Sequence, residues 1–141
     1  MPNPRSSLAA DLRQALGRAH RRLRHEVGSA GLSYAQYSVL VLLVREGPMT
    51  PGRLAERELV QPPTMTRTVN CLVELGLVTK TADPTDRRQV VVGLTPAGEA
   101  EVKETRRRRD AWLTARLTRL DADDRAVLTR AARLLREIAD S

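Results

Sequence analysis

The sequence predicts a mainly α chain carrying one small β-hairpin, and three observations lead there. Apolar residues recur at steps of three and four over most of the length, which is the period of a helix buried along one face. Residues 77–94 depart from it, with two β-branched runs on either side of a turn-rich segment. Phe is absent and Tyr34, Tyr37 and Trp112 are the only aromatic residues, so Leu, Val and Ala must build the core. That composition suits close-packed helices better than a β-sandwich. A length of 141 residues implies a single domain, 1–141, with no room for a second catalytic one.

The elements follow in order. After a Pro-punctuated start, Leu8, Leu12, Ala15, Leu16, Ala19, Leu23 and Val27 predict an amphipathic helix over 8–27, ended by Gly28 and Gly31. Ser33 is placed to cap a second helix through Val39, Leu40, Leu42, Leu43 and Val44, which Gly47 and Pro48 stop. Thr50 before Pro51 starts a short third helix reaching about Leu59. A fourth opens at Gln61, Pro62 and Pro63 and closes at Gly76, with Met65, Val69, Leu72 and Val73 as its inward stripe. The hairpin comes next, with its polar loop at 82–88. Thr95 before Pro96 caps a fifth helix through Leu113 and Leu117, acidic early and basic at Arg106 to Arg109, a block expected to be a solvated face with Glu104 and Asp110 as local partners. Asp121 caps a sixth, striped by Val127, Leu128, Ala131, Leu134, Leu135 and Ile138.

Short helices followed by a β-hairpin form a winged helix-turn-helix, here over 33–95. A helix fits the major groove of DNA, about 12 Å wide, while an Arg-bearing hairpin tip reaches an adjacent minor groove. With its stripe inward, the fourth helix leaves Thr64, Thr66, Arg67, Thr68 and Asn70 outward, residue types able to donate to phosphates and base edges. Net charge is +7, which favours a polyanionic partner but does not locate the surface. Residues 1–30 carry +4 of it, and 22 of the 24 basic residues are Arg.

Other classes fall away on residue counts. Two histidines, one cysteine and scattered glycines cannot assemble a nucleophilic triad, a paired-carboxylate site or a phosphate loop, so no enzyme and no cofactor is expected. His20 and His25 are five apart and share no helical face, which makes a poor metal pair. Cys71 reads as a half-buried packing thiol. No apolar run reaches the roughly 20 residues of a membrane span, and the N-terminus lacks the apolar core of a signal peptide, so a cytoplasmic protein is expected.

The stretch LAERELVQPPTMTRTVNCLVELGLVTKTADPTDRRQVVVGLTPAG, residues 54–98, resembles the multiple antibiotic resistance regulator (MarR) family of bacterial transcription factors. The most specific part is DPTDRRQVVVGLTPAG, and GLSYAQYSVLVLL at 31–43 also fits. The resemblance implies that Arg88 is the minor-groove residue, that Asp86 braces it through an ion pair, and that Arg87 contacts phosphate. Gln61, Pro62 and Pro63 depart from the Ser or Thr common at that helix start, and Cys71 occupies a position often charged, so base preference does not carry over.

The apolar stripes of the first and last helices call for a partner surface, and the resemblance implies a homodimer, with dimerisation regions at 5–30 and 96–141 flanking the winged helix. It implies a repressor binding a pseudo-palindromic operator in double-stranded DNA, the two heads about 34–36 Å apart. It implies as well a small aromatic or phenolic effector between dimerisation helices and reading head. The alternative is a winged-helix module that binds protein without specific DNA binding.

Overall fold

The computed structural model describes residues 4–141, and residues 1–3 of the expected domain, with part of its Pro-punctuated start, lie outside them. The order is α1 (Pro4–Leu23), α2 (Tyr34–Glu46), α3 (Pro51–Glu58), α4 (Pro62–Glu74), β1 (Val78–Ala82), β2 (Val90–Leu94), α5 (Pro96–Leu117) and α6 (Ala122–Ala139). This is the expected winged helix-turn-helix between helical flanks.

Local chemistry starts most of these helices. Ser33 Oγ accepts the Gln36 N–H at 3.2 Å while Gln36 Oε1 accepts the Ser33 N–H at 2.9 Å, a reciprocal cap. Thr50 accepts from the Arg53 N–H, Thr95 from the Gly98 N–H, and Asp121 from the Asp124 N–H. α4 is the exception: Gln61 makes no side-chain cap, and two prolines open the helix without N–H groups that need one.

The core lies within the head. Val39 and Leu40 from α2, Leu54 from α3, Val69 and Leu72 from α4, Val78 and Val92 from the hairpin and Val102 from α5 are fully buried together. β1 and β2 pair antiparallel from Val78 opposite Leu94 to Ala82 opposite Val90. Met49, in the α2–α3 loop, exchanges both backbone hydrogen bonds with Val92 and ties that loop to the base of the hairpin.

Three expectations need correction. The first helix ends at Leu23 rather than Val27, because residues 26–30 leave helical geometry to bond with α5: Arg109 and Arg108 donate to the Glu26 and Val27 carbonyls, and Thr105 accepts the Gly28 N–H. Val73 is not inward; it is 38% exposed, because the rows Met65–Val69–Leu72 already fill the face that meets α2 and α3. Cys71 is exposed rather than half-buried, lying on the solvent side of the same helix.

Two backbone positions carry testable consequences. A Cβ added to Gly98 would lie 2.1 Å from the Leu77 carbonyl oxygen, a contact only a backbone shift relieves. Gly98→Ala is therefore expected to destabilise by at least about 1–3 kcal/mol in denaturant unfolding, and wild-type stability would show that the close approach is dispensable. Leu59 sits at φ 56 in the left-handed region while 92% exposed, so it bears the strain of a branched residue there and returns almost no burial. Leu59→Gly should raise stability by about 1 kcal/mol, read as a higher Tm; a lower Tm would contradict it.

Candidate nucleic-acid interface

The α3–α4 turn sets the pose of α4. Its tightness comes from the left-handed Leu59 and the Val60 N–H donating back to the Ala55 carbonyl, after which Met65, Val69 and Leu72 seat the helix on the core. Thr64, Thr66, Arg67 and Asn70 are then exposed, and Thr68 is half-buried.

These side chains differ in what they have free. Thr66 and Thr68 donate their hydroxyl protons to the Pro62 and Thr64 carbonyls, so each presents lone pairs outward. Asn70 has its carbonyl oxygen held by the Lys80 ammonium from β1, which leaves its NH2 as the freer group. Lys80 carries no sequence signal for this contact, since a helix-to-strand pair ten residues apart has no periodic signature. Arg67 takes part in no ion pair among the described residues.

The hairpin tip is a pair of side-chain-closed turns. Asp83 Oδ1 accepts both the Thr85 N–H and the Thr85 hydroxyl at 2.8 Å. Asp86 Oδ1 accepts the Arg88 N–H at 3.1 Å, and the Asp83 N–H and Gln89 N–H close the loop onto the Gln89 and Asp86 carbonyls. Asp86 thus touches Arg88 through the backbone, and no Asp86–Arg88 ion pair is present among the described residues. Both Arg87 and Arg88 are exposed, and neither guanidinium joins an ion pair among the described residues. The turn bonds, the Thr85 N–H foremost, hold the Asp83 carboxyl below its usual 3.8.

The basic block on α5 behaves differently. Arg107 and Arg108 both bind Glu104, and those hydrogen bonds, Arg107 first, hold its carboxyl down at about 2. Arg108 and Arg109 also reach the backbone of residues 26 and 27, while Asp110 joins no ion pair among the described residues. This block is engaged within the chain rather than solvated throughout. No group of three metal-binding side chains occurs among the described residues, and no helix among them is long and apolar enough to cross a membrane.

The flanking helices leave their apolar rows uncovered within one chain. Leu8, Leu12 and Leu16 on α1 are exposed, as are Val127, Leu128, Leu134 and Ile138 on α6. A cleft of about 550 Å3 between α2 and α5, a size typical of small-molecule sites, is lined by apolar Leu43, Val44 and Val102 and by charged Glu99, Lys103 and Arg106.

Comparison with known proteins agrees with this geometry. The model of the MarR family matches residues 32–90. An uncharacterized HTH-type transcriptional regulator of Mycobacterium leprae is 44% identical over 133 residues, 94% of this chain and 93% of that protein. An HTH-type transcriptional regulator of Mycobacterium tuberculosis is 43% identical over the same shares. A solved structure of a candidate transcriptional regulator from Pseudomonas aeruginosa, 30% identical, superposes with a TM-score of 0.87 over 100% of this chain and 99% of that one.

The tip predicts its own titration. Because the folded Asp83 value is depressed, the turn is fully held above the ordinary 3.8 and loosens as pH falls through the lower folded value. Thr85→Ala, which removes the hydroxyl bond and keeps the N–H bond, should move the Asp83 carboxyl part of the way up towards 3.8 in a carbon NMR titration; an unmoved midpoint would show that the Thr85 hydroxyl does not hold the carboxylate.

Proposed function

The chain belongs to the MarR family and is one of its helix-turn-helix transcriptional regulators, and from that premise we propose that it represses transcription as a homodimer on a pseudo-palindromic DNA operator. In this reading residues 33–95 are the reading head, and 5–30 with 96–141 are the dimerisation region of one domain. Each head lays α4 in the major groove and turns the hairpin tip into the adjacent minor groove. Arg67 meets base edges with Thr64, Thr66, Thr68 and Asn70 beside it; Arg88 enters the minor groove, Asp86 braces its backbone, and Arg87 neutralises a phosphate.

One observation carries the reading: the two elements whose dimensions suit the two grooves bear Arg67, Arg87 and Arg88 free of any carboxylate partner among the described residues. An unpaired guanidinium keeps its five donors for phosphate or guanine, and it releases counterions when it binds. The uncovered rows on α1 and α6 support the dimer, since a second copy would remove from water apolar surface worth roughly 25 cal/mol per Å2.

A small aromatic or phenolic effector completes the proposal. A ligand between α5 and the head shifts the separation of two heads that fit a single spacing, so binding energy at one site becomes lost affinity at the other. The regulator acts in the cytoplasm, where its DNA is.

The test is Arg88→Ala on a duplex that the wild-type protein selects from fragments of its source genome. The substitution should weaken binding by about 1–3 kcal/mol and leave the oligomeric state unchanged, and wild-type affinity should fall steeply with salt. Unchanged affinity in the variant would show that the hairpin does not read DNA. Binding that ignores salt would favour the protein-interaction alternative.

A further inference from the structure

The end of α1 and the residue after it meet the rest of the chain: His20 lies edge-on to Tyr34, Arg24, just past the helix, stacks over the same ring, and Arg22 lies over Trp112 of α5. Two covalent routes therefore join the head to the helical arm, the segment 24–33 leading into α2 and the helix α5 leading out of β2. What couples these routes decides how rigidly the head is held.

The coupling is polar, buried at Thr105 and more open towards Arg108. Over about 12 Å of α5, from Glu101 to Arg109, four side chains bond the backbone of the connecting segment. Thr105 Oγ1 accepts the Gly28 N–H at 2.9 Å in a buried setting, and Glu101 Oε1 accepts the Ala30 N–H at 3.3 Å. Arg108 donates to the Val27 carbonyl at 3.0 Å and Arg109 to the Glu26 carbonyl at 3.2 Å.

Each of these side chains is itself held. Glu104 binds Arg108 at 2.8 Å and aims it, while the Arg109 guanidinium lies 4.6 Å above the Tyr37 ring of α2. Thr105 and Glu101 are buried among the core residues of α5. The fit is close on the other side too, since a Cβ on residue 28 would stand 2.3 Å from Glu101 Oε1. Glycine at 28 admits the backbone to the carboxylate.

We propose that this clamp sets the angle between reading head and helical arm, which makes Glu101, Thr105, Arg108 and Arg109 positioning residues for recognition by paired heads. Its consequence for DNA rests on the reading proposed above, whereas the angle is a property of one chain. The Gly28 N–H is buried, and a small rotation that pulls it off Thr105 leaves it unpartnered before water can reach it, so the clamp resists rotation more firmly than apolar contact, which tolerates sliding. The tolerance required is small: a head displaced by about 3.4 Å along the duplex meets the neighbouring base pair.

The experiment places one nitroxide label on Cys71, the only cysteine and exposed on α4, and another on Arg130→Cys, an exposed position of α6. The labelled full chain is diluted into excess unlabelled chain so that only distances within one chain are read by pulsed electron resonance. The wild-type background should give one narrow distance peak, and Thr105→Ser, which keeps the hydroxyl acceptor, should keep it. Thr105→Val should at least double the peak width, as should Arg108→Gln combined with Arg109→Gln. The arginine pair decides alone if circular dichroism shows the valine variant unfolded. A wild-type peak in the folded variants overturns the proposal. Broadening in a protein that binds no duplex would uphold the clamp and count against the DNA reading, so the two fail separately.

Discussion

Everything the head presents depends on the junction around Thr95. Its hydroxyl donates to the Gly76 carbonyl at 2.7 Å and accepts the Gly98 N–H at 3.1 Å, while its own N–H donates to the Leu77 carbonyl at 3.1 Å. One residue therefore joins the end of α4, the base of the hairpin and the first turn of α5. The Leu77 N–H in turn closes onto the Leu72 carbonyl, and Gly98 leaves no space for a side chain against Leu77. α4, the hairpin and α5 are thereby one body, and the position of the tip relative to α4 follows from hydrogen bonds far from either.

The chain uses arginine in two opposite ways, and the contrast explains why net charge alone located nothing. On α4 and the hairpin tip, Arg67, Arg87 and Arg88 join no ion pair among the described residues. On α5, Arg107, Arg108 and Arg109 are engaged by Glu104, by two backbone carbonyls and by the Tyr37 ring. A guanidinium already bonded to carboxylate or carbonyl has fewer donors left for a phosphate. Position in the fold, rather than the sum of charges, separates a binding cation from a structural one.

Element order and helix starts were legible in the sequence because caps are local: Ser33, Thr50, Thr95 and Asp121 each bond an amide three residues on. The end of α1 was not, since the groups that capture residues 26–28 lie about eighty positions away on α5. Period alone cannot choose between adjacent Leu72 and Val73 at the edge of a stripe; contact with α2 and α3 chooses Leu72. At the site, the outward set on α4 followed from the inward one, with Thr68 half-buried at its edge. The Lys80 bond to Asn70, the inward-turned hydroxyls of Thr66 and Thr68, and the backbone form of the Asp86 brace required three dimensions.

Recognition of a two-fold operator needs paired heads. An isolated protomer has uncovered leucine rows on α1 and α6 and a single head, which explains neither. Sedimentation equilibrium with and without a selected duplex measures this most directly. A homodimer gives a free particle of twice the 15.7 kDa chain mass and a complex holding two chains on one duplex. A free particle of 15.7 kDa that takes up duplex one chain at a time, or no uptake at all, would contradict it.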